Sequence, residues 1–145
     1  MNLVDLTKAS ISEVMETMFF TVLEFQGEED KAINGGYCSW IRLTSEDSQS
    51  IFFIIKLEPE FAKQITADFL GFIPDNISEN EIEDCAKELA NMLGGTFIAK
   101  AGERFNLGLP SFGKCPEIED ESNCTEIPMF VMDTRVGTVI VCSSK

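Results

Sequence analysis

The chain contains no histidine. That absence removes Ser-His-Asp and Cys-His nucleophile systems, histidine-ligated zinc and imidazole general-base catalysis. Positive charge is scarce too: 11 lysines and arginines face 25 aspartates and glutamates, for a net charge of -14. Such a surface repels a nucleic-acid backbone and the anionic face of a membrane, so neither is an expected partner. Apolar runs fall well short of the ~20 residues that cross a bilayer, and the first residues lack the basic-then-apolar pattern of a secretory signal. A cytoplasmic location is expected. The five cysteines are an odd number with no C-x-x-C pair, which argues against a closed disulfide framework and for reduced thiols.

What is present is enough for one folded unit. A length of 145 residues suits a single domain spanning 1–145, and twelve phenylalanines supply most of the aromatic bulk of its core. Apolar residues Leu3, Leu6, Ile11, Val14, Met15 and Met18 recur at three- and four-residue intervals, predicting an amphipathic helix over 3–20. A charged, glycine-containing connector at 27–36 leads to two β-rich runs, 37–43 and 51–57, separated by the polar stretch 44–50; this reads as a hairpin. Pro59 suits the first turn of a second helix, whose apolar face of Phe61, Ile65, Phe69 and Leu70 ends at Gly71. Ser78 and Glu81 have capping-box spacing and open a third helix. Strands follow at 105–109, 128–133 and 136–142, the last two joined by a tight turn at Thr134 and Arg135 or a slightly longer one.

Between residues 110 and 126 lies an acidic loop with Glu117, Glu119, Asp120 and Glu121. These are oxygen ligands of the kind calcium takes, but the spacing and glycine of a calcium loop are missing, so a solvated loop is the favoured reading.

On the third helix, Ile82, Cys85, Ala86, Leu89 and Leu93 fall on one side, while Asp84, Glu88 and Asn91 fall on nearly the opposite one. A solvent-facing Glu and Asn three residues apart is common, and spacing alone favours an ordinary solvated face.

The run EDCAKELANMLGG also resembles the D/S-xxx-E-xx-N signature of the CheC, CheX and FliY phosphatases, with Asp84, Glu88 and Asn91 at its fixed positions. The glycine after the helix (Gly94 or Gly95), the FNLGLP segment ending at Pro110 and the terminal hairpin follow in the order of CheX-like proteins. The resemblance implies an α+β, two-layer CheC-like fold: a mostly antiparallel sheet with long helices on one face. It implies a phosphatase acting on the aspartyl phosphate of a CheY-like response regulator in chemotaxis or related two-component signalling. Asn91 would orient the attacking water, Glu88 would pair with a receiver lysine, and Asp84 would be accessory, between a contact role and a helix-dipole role. The chain would need no cofactor or metal of its own, because Mg2+ belongs to the receiver. A homodimer and a CheD-like partner are further implications.

CheC-type members carry the signature twice. Here the first helix has Ser12 and Glu16 at matching positions but Phe19 in place of the second asparagine, so one active helix per chain is expected. Propensity would end the third helix at Gly94-Gly95, whereas the resemblance favours continuation toward Ala101 through close packing that only glycine permits. Thr96 stands where many relatives have asparagine. Two other functions fit the same residues: a non-catalytic docking module for a receiver, flagellar-switch or CheD-like component, and an acidic interaction domain unrelated to phosphorelays.

Overall fold

The computed structural model describes residues 2–27, 33 and 35–144; residues 28–32 and 34 of the connector lie outside them. The elements run α1 (Leu3–Phe19), β1 (Tyr37–Thr44), β2 (Ser50–Leu57), α2 (Pro59–Leu70), α3 (Glu79–Ala101), β3 (Asn106–Leu107), β4 (Ser111–Phe112), β5 (Cys124–Val131) and β6 (Thr134–Ser144). Short 3₁₀ turns occupy Pro74–Asn76 and Glu121–Asn123.

Among the described residues the strands form a six-stranded sheet in the order β3-β1-β2-β6-β5, with β4 sharing the outer edge of β1 with β3. Every pairing is antiparallel, as expected of α+β folds with one covered face. Alternation along the strands sorts the side chains. Ile41, Leu43, Phe53, Ile55, Leu57, Val139 and Val141 join the helices in the main core. Cys38, Ile54 and Ile140 point the other way, into a smaller cluster capped by Trp40, Phe52 and Ile118. In the main core the Phe53 and Phe97 rings meet edge-on with centroids 5.2 Å apart, a favoured aromatic geometry. The α+β class, the one-sided helix layer and the first hairpin are as the sequence predicts.

Three expectations need correction. The first concerns cysteine: Cys38 is bonded to Cys115 and Cys124 to Cys142, while Cys85 alone is free and buried. An odd count only guarantees one leftover thiol. Pairing is decided by proximity, and Cys124 stands directly opposite Cys142 across β5 and β6 with Cα atoms 4.0 Å apart. The second concerns the last hairpin. β5 begins at Cys124 and runs through Pro128, which is tolerable because β5 is the last strand of the sheet and the bridge on its outer side joins Glu24 to Phe130, away from Pro128. Val131 pairs with Thr134, so the turn is Met132-Asp133, not Thr134-Arg135. Both turn residues have positive φ, 49° and 68°, the conformation of a twist-matched two-residue hairpin; Met-Asp lacks the Asn-Gly or Asp-Gly signal. Third, the strand predicted at 105–109 shrinks to Asn106–Leu107. The chain then steps along the edge of β1, with Gly108 N–H donating to the Arg42 carbonyl at 2.9 Å.

Candidate functional site

The site is carried by α3, and local chemistry fixes where that helix starts. Ser78 Oγ accepts from Glu81 N–H at 3.2 Å, and the Glu81 carboxylate accepts from Ser78 N–H at 2.9 Å, closing the predicted capping box. Ile82, Cys85, Ala86, Leu89, Ala90, Leu93 and Phe97 are buried, and this apolar stripe presses the helix onto α1 and the sheet. The helix passes through both glycines to Ala101, where Gly102 closes it in the left-handed conformation at φ 69°. A Cβ on Gly94 would lie 2.6 Å from Leu107 and 3.3 Å from Leu43. Close packing on β1 and β3 therefore explains Gly94. It does not explain Gly95, where a Cβ would meet nothing within 4 Å.

Asp84 and Glu88 are exposed and Asn91 is half-buried. The helical repeat places them on one stripe, with Glu88 and Asn91 separated by about 4.5 Å along the axis. Among the described residues, none of the three takes part in a side-chain hydrogen bond or ion pair. The lysines of α3 are engaged elsewhere: Lys87 with Glu83 at 3.2 Å, and Lys100 with Glu13 of α1 at 3.1 Å. Asp84 and Glu88 thus face solvent as two carboxylates without an intramolecular cation, beside an amide that can both donate and accept. Asp84 lies beyond the first turn, whose acidic residues are Glu79 and Glu81. The helix dipole acts mainly within that turn, which leaves little of its effect for Asp84.

One flank of the stripe is a cleft of about 310 Å³ formed by Phe69, Leu70, Glu81, Asp84, Cys85, Glu88 and Met92. Sequence reading missed it. The available signal was Met92, which continues the i, i+4 series Asp84, Glu88 with an apolar side chain. Burial raises the Cys85 thiol above its ordinary pKa, with the Glu88 charge adding to the rise and a hydrogen bond with Thr66 opposing it. A buried thiol kept protonated is a poor nucleophile, so the chemistry available here is that of carboxylates and an amide.

On α1, Ser12 is half-buried and Glu16 exposed, but Phe19 is 0% exposed and its ring centroid lies 5.2 Å from that of Phe69. The position matching the asparagine is a core position here, not a vacant site. In the acidic loop, the Asp120 carboxylate accepts from the N–H of Ser122 at 3.1 Å and the amide of Asn123 at 3.0 Å, an Asx-type local closure. No helix among the described residues is long and apolar enough to cross a membrane.

A family model described as chemotaxis phosphatase CheX matches residues 37–131, a span that includes Asp84, Glu88, Asn91 and Pro110. No curated protein matches the chain. Among solved structures, chemotaxis protein CheX from Vibrio vulnificus superposes with a TM-score of 0.77 at 22% identity, covering 97% of this chain and 98% of that one. A CheC-like superfamily protein from Shewanella sp. PV-4 gives 0.78 at 19% identity, covering 100% of both chains. A CheX-CheY-BeF3-Mg complex from Borrelia burgdorferi gives 0.71 at 16% identity, covering 99% of both. At these identities the likeness speaks for the shared CheC-like fold. With the family match extending over nearly two thirds of the sequence and the signature carried on α3, the chain belongs to the CheX family of chemotaxis phosphatases.

Proposed function

We propose that this chain hydrolyses the aspartyl phosphate of a CheY-like response regulator, using α3 as the element inserted into the receiver's active site. The observation that supports this best is the stripe of Asp84, Glu88 and Asn91, presented to solvent without a partner from its own chain. An acyl phosphate is already reactive, so its hydrolysis mainly needs a placed water and compensation of charge on the transferring phosphoryl group. Asn91 holds the water with its amide. The water oxygen attacks phosphorus in line, the bond from phosphorus to the aspartate oxygen breaks, and the products are inorganic phosphate and the free carboxylate. Glu88 pairs with a lysine of the receiver, as a carboxylate beside a phosphoryl group requires a cation, and Asp84 is an accessory contact. The Mg2+ ion that neutralises phosphoryl charge resides on the receiver.

The reading carries with it a single domain over 1–145, a cytoplasmic location, a homodimer and room for a CheD-like partner. The test is to mix the purified protein with Mg2+-loaded, phosphorylated CheY-like receivers and follow loss of the aspartyl phosphate. Wild type accelerates the loss, and Asn91→Ala reduces the acceleration on the order of 100-fold, the scale of misplacing a reacting group. Binding without acceleration would instead support the non-catalytic docking module.

A further inference from the structure

We propose that the cleft beside Asp84 and Glu88 is a docking pocket for an apolar side chain of the phosphorylated receiver, one that stands next to a basic residue on the receiver's surface. The choice of partner rests on the phosphatase reading of the stripe. The pocket itself rests on its lining: apolar walls from Leu70, Phe69 and Met92, with three carboxylates, Glu81, Asp84 and Glu88, around them.

The two halves of that lining ask for different things from a partner. The apolar walls gain by excluding water from Leu70, which is 40% exposed, and the chain just beyond it leaves Phe72 and Ile73 at 53% and 61%. Large apolar side chains grouped in this way mark an interaction surface more often than an ordinary one. The three carboxylates have no lysine or arginine of their own chain in the cleft, and the molecule as a whole carries -14. A second acidic copy of the chain would bring repulsion to this rim, whereas a basic residue on a receiver is drawn to it. A volume near 310 Å³ lies at the small end of ligand pockets and suits a side chain. The cleft opens on the same stripe as Asn91, so a receiver engaged there also faces the pocket.

Gly95 supports the same surface. It lies two turns from Glu88 on the same side of α3, and nothing in the fold requires a glycine at that position, since an added Cβ meets no atom within 4 Å. A bare backbone there lets a partner approach the stripe closely.

The test measures binding, independently of turnover. A CheY-like receiver loaded with Mg2+ and beryllofluoride is titrated with wild type, Leu70→Ser, Met92→Ser and Asn91→Ala, with unfolding midpoints recorded for each. Leu70→Ser and Met92→Ser are expected to raise Kd about tenfold, the effect of truncating a buried anchor. Should Met92→Ser fail to fold, the more exposed Leu70→Ser still decides the matter. Folded variants that bind as tightly as wild type overturn the pocket, even if Asn91→Ala abolishes hydrolysis and the phosphatase reading stands. Weakened binding by both variants upholds the pocket, even if no hydrolysis is seen. A wild-type protein that binds no receiver overturns both, and self-association that disappears in Leu70→Ser without a change in receiver binding assigns the cleft to a second copy and overturns the proposal.

Discussion

Cys85 shows how one side chain on α3 can belong to the core and still register the site. It is buried between the helices, yet it touches the cleft, and the Glu88 charge helps burial to hold its pKa above the ordinary value of 9.0. The sign of the resulting pH dependence is fixed. A thiol whose folded pKa is raised binds its proton more tightly in the native state, so its contribution is fully present below the unfolded pKa and is lost as pH rises toward the folded one. Unfolding free energy should therefore fall as pH rises past the ordinary thiol value of 9.0, and Tyr37, also raised by burial and by its hydrogen bond to Glu79, adds to the fall past its ordinary value of 10.0. In Cys85→Ala the slope across this window should flatten. Denaturant titrations of both proteins at several pH values measure it, and an unchanged slope in the variant would show that Cys85 is not its source.

At the scale of the element, two adjacent glycines in α3 separate propensity from packing. Glycine in a helix interior is less favourable than alanine by roughly 0.5–1 kcal/mol. Gly95→Ala should recover about that amount, because the new methyl group meets nothing. Gly94→Ala gains the same propensity, but its methyl would overlap Leu107 and crowd Leu43, so a net loss of about 1–2 kcal/mol is expected from overpacking. Opposite shifts in the denaturation midpoints of the two variants check this, and shifts of the same sign would refute the packing assignment. The pair also marks the limit of what was legible. Helix periodicity, the capping box at Ser78 and the alternation in β1 and β2 are local signals, and each element formed where they placed it. The signature was legible as letters, and its exposure followed from the helical repeat. Legibility failed where a feature depends on contacts distant in sequence. Propensity alone would have stopped α3 at Gly94, and the resemblance was what favoured the continuation that packing against Leu43 and Leu107 accompanies; the cleft depends on α2 meeting α3, and the burial of Phe19 on its packing with Phe69.

At the scale of the molecule, the sheet separates two functions onto two faces. The helix layer and the signature stripe lie on one side, while the disulfides and the 113–123 loop cover Trp40, Phe52, Ile54 and Ile140 on the other. Cys38–Cys115 spans 77 residues of sequence and Cys124–Cys142 spans 18. In the chain-entropy account, such closures restrict the unfolded chain by about 4 and about 3 kcal/mol respectively. Opening both should lower the unfolding midpoint by about 20 °C for a chain of this length. Receiver dephosphorylation at a temperature well below that midpoint should persist, because neither bond touches α3. This matters wherever thiols are kept reduced: the expected outcome there is a site that still works, with only the margin of stability changed. Alkylation of the denatured protein checks the starting point. One thiol, Cys85, should react before reduction and all five cysteines after it. Melting curves and dephosphorylation rates with and without reductant then test the separation. A midpoint that drops while activity is retained supports two independent faces, whereas activity lost well below the reduced midpoint would mean that the outer face is coupled to α3 through the sheet.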